Sequence, residues 1–143
     1  MGRRVILDTN ALIAYVRAAF DIASLDDDDV AIATITVAEF RTGIELADSA
    51  DRAADRARTL DAILSAVDVL DYSEHTAAQH ARLLAHVRKT GSRRGAHDLI
   101  IAAHAAQTRR VLLSLDAKAK FADLPGVDSL AIPDGLGVVR PPR

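Results

Sequence analysis

The 143-residue chain contains no cysteine and no tryptophan, and neither sign of charge dominates it. Without cysteine there is no disulfide framework, no zinc knuckle and no thiol nucleophile. Aromatics are 3% of the residues, namely Tyr15, Phe20, Phe40, Tyr72 and Phe121, which is too few for a base-stacking platform of the kind single-strand binders use. Lysine and arginine total 18 against 20 acids, a net charge of −2, so the chain as a whole does not attract nucleic acid electrostatically. No apolar run reaches the length a membrane helix needs. The apolar run in the opening M-G-R-R-V-I-L-D is also too short for the core of a signal peptide. The expectation is a soluble, cytoplasmic protein with no membrane partner. A length of 143 residues fits one domain, 1–143, with an irregular tail from about residue 133.

What the chain does have is an alternation of short apolar runs and helical patterns. Strands are expected at 4–8, 30–34, 67–72, 111–115 and 130–132. Helices are expected at 10–19, from Thr36 through Leu46, at 51–66, from Ser73 to Lys89 and at 97–108. The helix at 97–108 is apolar almost all round and is expected to be buried. The acidic run Asp26–Asp29 reads as a solvated loop. Strands that alternate with helices imply an α/β fold with a parallel central sheet and ligands bound beyond the strand carboxyl ends.

Four acids stand at such joints. Asp8 closes the first apolar run in V-I-L-D-T-N, and Asp116 follows V-L-L-S-L. Glu39 and Asp98 are expected in the first turns of their helices, in T-V-A-E-F and A-H-D-L-I-I-A-A. Taken singly, each has a plainer role: Asp8 as a helix N-cap, Glu39 in a capping box with Thr36, Asp98 and Asp116 as acids near helix N-termini. Those roles do not explain why all four would share one edge of one sheet. Carboxylates that converge there need a cation, and hard divalent ions take oxygen ligands. The pattern therefore points to magnesium- or manganese-dependent chemistry on phosphates.

These motifs, in this order, resemble the PIN-domain nucleases, and the size of the chain is most similar to the VapC-type toxins. D-T-N resembles the opening motif, T-V-A-E-F-R-T-G the second, H-D-L-I-I-A-A-H-A the third and L-L-S-L-D the fourth. One departure is that Phe121 stands five residues beyond Asp116, where family members often place a Phe sooner. The resemblance implies a three-layer PIN-like fold and a Mg²⁺- or Mn²⁺-dependent endoribonuclease that hydrolyses RNA. It further implies a homodimer inhibited by a cognate VapB-type antitoxin. Asp8, Glu39, Asp98 and Asp116 would be the catalytic, metal-holding acids, with Asn10 and Ser114 in support.

Arg93 and Arg94, in a basic segment with Arg88 and Lys89, lead into Asp98 and are the candidate RNA-binding residues. Arg41 and the pair Arg109–Arg110 are the alternative cations. The five histidines have no zinc-binding spacing and are expected at the surface. An aspartyl phosphatase of the haloacid-dehalogenase kind would need an acid at position 10, which is Asn10. A phosphate-accepting receiver domain would want adjacent acids after the first strand, and these are absent. A catalytically silent PIN-like scaffold is disfavoured by the presence of all four acids. A PIN nuclease of RNA processing remains the alternative to a toxin.

Overall fold

The computed structural model describes residues 2–17, 25, 27–115 and 121–131. Five parallel strands form one sheet: β1 (Arg4–Leu7), β2 (Asp29–Ala33), β3 (Asp68–Leu70), β4 (Val111–Ser114) and β5 (Ser129–Ala131). Their spatial order is β3-β2-β1-β4-β5. The helices are α1 (Thr9–Val16), α2 (Thr34–Glu45), α3 (Ala50–Ala66), α4 (Glu74–Thr90) and α5 (Ala96–Thr108). The expected parallel α/β sheet is therefore present. The expected irregular tail lies outside the described residues.

The two central strands are short and continuously apolar because helices cover both faces of the sheet. Val5, Ile6 and Leu7 of β1 are each fully buried, as is Leu112 of β4. Side chains alternate along a strand, so neighbours enter different cores. Ile6 and Leu112 pack with Leu83 of α4 and with Leu99, Ile101 and Ala102 of α5. Val5, Leu7 and Leu113 pack instead with Leu12 of α1 and Ile63 of α3. Three layers result, with α1 and α3 on one face and α4 and α5 on the other. Helix α2 straddles them: Ile35 meets the first core, while Val37 and Phe40 meet the second.

Local signals explain most of the boundaries. Ser73 caps α4 in a reciprocal box with Thr76, and Gly91, at φ 68°, ends that helix in the left-handed conformation. Ser49 caps α3 by accepting from the Arg52 N–H. Helix α2 begins two residues before the expected Thr36. Its N-cap, Ala33, has no side chain to announce the start. The hydroxyl of Thr34 donates across to the Leu70 carbonyl of β3 at 2.8 Å rather than capping its own helix.

Three expectations are corrected. Asp28 and Asp29 are not idle members of a solvated loop. Asp28 is paired with Arg3 at 2.9 Å, its side chain only 5% exposed, and Asp29 opens β2. Arg110 is buried, and its guanidinium donates to the carbonyls of Val5 (3.1 Å) and Asp29 (2.9 Å). It pins the starting halves of β1 and β2 together, away from the strand carboxyl ends, and is not a surface cation. His104 is also buried, on the inner face of α5.

Candidate active site

Strand order reverses around β1: the next strand in sequence, β2, lies to one side of it and β4 to the other. A crevice at the carboxyl ends of such a pair is where open α/β sheets bind ligands. Asp8 stands there, immediately after β1, and is buried to 3% exposure. Its backbone N–H extends the pairing with β4 by donating to the Leu113 carbonyl at 3.2 Å. Its carboxylate is held from two directions. Oδ1 accepts from the Ala11 N–H at 2.8 Å and so caps α1, while Oδ2 accepts from the Ser114 hydroxyl at 2.5 Å. Ser114, itself buried, is the last residue of β4. The capping role and the strand-bridging contact thus coexist on one side chain.

Glu39 lies in the second turn of α2, because that helix starts at Thr34, and so it is not in a first turn as expected. Thr36 is fully buried and engages Thr9 (3.5 Å between hydroxyl oxygens), so no capping box links it to Glu39. Glu39 instead accepts a hydrogen bond from the Thr9 hydroxyl at 3.1 Å, through Oε1. Nδ1 of His97 lies 3.2 Å from the same oxygen. Thr9 adjoins Asp8 and His97 adjoins Asp98, so these contacts gather α1, α2 and α5 at one end of the sheet.

Asp98 occupies the first turn of α5 and is half-buried. The residue before that helix is Gly95, at φ −61°, a conformation open to any residue. Glycine is used there for space: a Cβ on Gly95 would stand 3.0 Å from the Asp98 carboxylate. Asn10 is exposed on α1 and lines an open groove of about 620 Å³ between α1, α2 and α3. Ile13 and Phe40 give this groove an apolar floor, and Arg17 and Arg56 stand at its sides.

Arg88 and Lys89 end α4 exposed, Arg93 is exposed and Arg94 is half-buried in the link to α5. Asp116 lies outside the described residues. Among the described residues, no three carboxylates or imidazoles are grouped so as to hold a metal ion between them.

The donor chemistry nonetheless fits a hard divalent cation. The available groups are carboxylates and hydroxyls, the chain has no thiol, and an ionised carboxylate that accepts two hydrogen bonds keeps acceptor capacity. The space that Gly95 leaves beside the Asp98 carboxylate belongs to the same fit. Sequence spacing did not reveal Thr9 or Gly95, and it pointed to His97 only as the neighbour of Asp98. The contacts of Thr9 with Thr36 and Glu39 cross 27 and 30 positions, and no periodicity within one element reports them.

The sequence matches the PIN domain over residues 5–126. It is 34% identical over 127 residues to Ribonuclease VapC5 of Mycobacterium tuberculosis, covering 89% of this chain and 92% of that protein. The solved VapBC-5, a member of the VapBC family of toxin–antitoxin systems from the same organism, superposes with a TM-score of 0.72. Identity there is 29%, with 90% of this chain and 96% of that one covered. VapBC2 of Rickettsia felis, solved bound to a DNA fragment from its promoter, shares the fold at a TM-score of 0.78 and 22% identity. It covers 90% of this chain and 98% of its own. With one continuous match running from the first strand to beyond the fourth, the chain belongs to the PIN-domain family.

Proposed function

We propose that this protein is a metal-dependent endoribonuclease and the toxin half of a VapBC-type toxin–antitoxin pair. The observation that carries the reading is the buried Asp8 carboxylate, fixed from both sides at the carboxyl end of the central strand. The relationship to Ribonuclease VapC5 supplies the substrate class, and kinship with VapBC-5 supplies the partner class.

In this reading Asp8, Glu39, Asp98 and Asp116 hold Mg²⁺ or Mn²⁺. When bound, the ion supplies an activated water and neutralises charge that develops on the phosphate. Ser114 and the Ala11 N–H keep Asp8 in one orientation before any ligand arrives. Thr9 does the same for Glu39. Asn10, which lines the groove, would assist by hydrogen bonding in this reading. Arg93 and Arg94 offer the phosphate contacts that the net charge of −2 does not. Attack by an external water leaves 5′-phosphate and 3′-hydroxyl ends and has no need of the RNA 2′-hydroxyl.

The cognate antitoxin is expected to place an arginine against Asp8 and Asp98, because a planar guanidinium matches carboxylates in bidentate geometry. The protein acts as a homodimer in the cytoplasm, and no described helix is long and apolar enough to cross a membrane. Expression of the chain alone should arrest growth, and co-expression of the adjacent small gene should restore it. Harmless expression of a folded, RNA-cleaving protein would replace the toxin reading with a PIN nuclease of RNA processing.

A further inference from the structure

Among the described residues, the polar contacts of the Glu39 carboxylate fall on one oxygen. The Thr9 hydroxyl donates to Oε1 at 3.1 Å, and Nδ1 of His97 stands 3.2 Å from it. Thr9 is itself anchored, 3.5 Å from the hydroxyl of Thr36, which is fully buried. His97 reaches Glu39 from another element, the first turn of α5, next to Asp98. We infer that His97 is a positioning residue: with Thr9 it holds the Glu39 carboxylate by Oε1 and leaves Oε2 as the oxygen available to a cation. The inference rests on the metal-dependent reading above and gives a role to a residue that the resemblance leaves without one.

A glutamate on a helix surface has three side-chain torsions, and each must be fixed before its oxygen can serve as a ligand. Glu39 is 32% exposed, so packing alone does not fix it. The His97 side chain is 54% exposed, and a pair that open contributes little to fold stability. Its effect is therefore local, on where Glu39 points. Groups that orient a metal ligand from outside the coordination shell typically change metal affinity by about 10- to 100-fold when removed. His97 also links α5 to α2, beside the core in which Ile35 of α2 packs with Leu99 and Ala102 of α5.

The test is Mn²⁺ binding followed by calorimetry in the absence of RNA, on the full chain and on His97→Ala, His97→Asn, Thr9→Val and Asp8→Asn. Melting in EDTA serves as the check of folding. His97→Ala is expected to weaken Mn²⁺ by roughly 10-fold with an unchanged melt. His97→Asn, whose amide N–H can offer a donor to Oε1, should recover part of that loss, and Thr9→Val should weaken Mn²⁺ in the same direction as His97→Ala. In RNA cleavage, the His97→Ala rate should recover when Mn²⁺ is raised, with KM for RNA little changed. If Asp8→Asn abolishes Mn²⁺ binding while His97→Ala leaves it unmoved, the positioning role is overturned and the metal reading stands. The same holds if His97→Ala raises only KM for RNA, which would make His97 a substrate contact. If Asp8→Asn binds Mn²⁺ as the full chain does, the metal reading fails and the inference fails with it.

Discussion

Asp8 serves the fold and the proposed chemistry with different properties of one side chain. As an N-cap it needs only an oxygen acceptor for the Ala11 N–H, which asparagine also provides. As a cation ligand it needs full negative charge, which asparagine lacks. Asp8→Asn is therefore expected to abolish RNA cleavage while melting in EDTA at the same temperature or slightly higher, because a buried charge has been removed. Asp8→Ala removes the cap as well and should cost about 1 kcal/mol in a denaturant titration. Equal stability losses in the two variants would mean that the charge of Asp8 matters to the fold. Gly95 gives a second test at this scale. Its φ of −61° is open to alanine, but Gly95 is the N-cap of α5, where alanine is the poorer residue, so Gly95→Ala should fold with a small loss in the melt. The new Cβ would crowd the Asp98 carboxylate, and the apparent Mg²⁺ requirement for cleavage should rise. An unaltered Mg²⁺ requirement would detach Asp98 from the site.

Among the elements, α5 has two distinct parts. Its first turn presents His97 and Asp98, while its body is buried between the sheet and α4. There His104 is 1% exposed, and among the described residues neither ring nitrogen has a hydrogen-bond partner. The Tyr72 ring meets it edge-on, with centroids 6.1 Å apart. Burial pushes the His104 pKa below the ordinary histidine value; Asp71 nearby opposes the shift and His80 adds to it. Burial also lowers His80. Above the ordinary value of 6.5 both folded and unfolded chains keep His104 neutral. As pH falls through that value the unfolded chain takes up a proton that the folded chain refuses, so stability declines. The slope from one such group is at most about 1.4 kcal/mol per pH unit. Melts between pH 7.5 and 5.5 should show this decline in the full chain and a shallower one in His104→Leu; parallel curves would show that His104 is hydrated in the fold.

Asp28 acts in a separate, lower window. Burial pushes its carboxyl up, but the hydrogen bonds and charge of Arg3 outweigh this and hold it below 3.8. Its contribution is present above that value and is lost as pH falls through the lowered one.

The sequence made the order of elements readable because a parallel sheet covered on both faces demands continuous apolar runs, and R-V-I-L and V-L-L-S supply them. It obscured the start of α2, where Ala33 gives no capping signal, and it overextended β3, where Asp71 and Tyr72 lie beyond the pairing that ends at Leu70. Arg110 and His104 were read as surface residues because charge and polarity usually lie outside. What buries them is tertiary: carbonyls of β1 and β2 for Arg110, and the apolar face of α5 for His104. The candidate acids were legible because each follows a recognisable run. Of their orienting partners, Ser114, which reaches Asp8 across 106 positions, was indicated only through the resemblance, and Thr9, which reaches Glu39 across 30, was not indicated.

For the whole molecule, the difficulty is to attract a polyanion to an acidic crevice with a net charge of −2. Local cations must do this, and Arg110 is not one of them. Arg93 and Arg94, in the link that leads into Asp98, are the proposed phosphate contacts. Neutralising both should lower the slope of log affinity for single-stranded RNA against log salt by roughly one, at about 0.7 per phosphate contact. Product ends should stay the same, and an unchanged slope would move the phosphate contacts to the groove arginines, Arg17 and Arg56. The central claim, that this fold cuts RNA through a divalent ion held by Asp8 and its companions, is tested most directly by one cleavage assay. Purified full chain and Asp8→Asn are incubated with total cellular RNA in Mg²⁺, with and without EDTA, and the product ends are mapped. The account predicts discrete cuts by the full chain alone, lost in EDTA, with 5′-phosphate and 3′-hydroxyl ends. Cleavage that persists in EDTA, or that Asp8→Asn performs equally well, would contradict it.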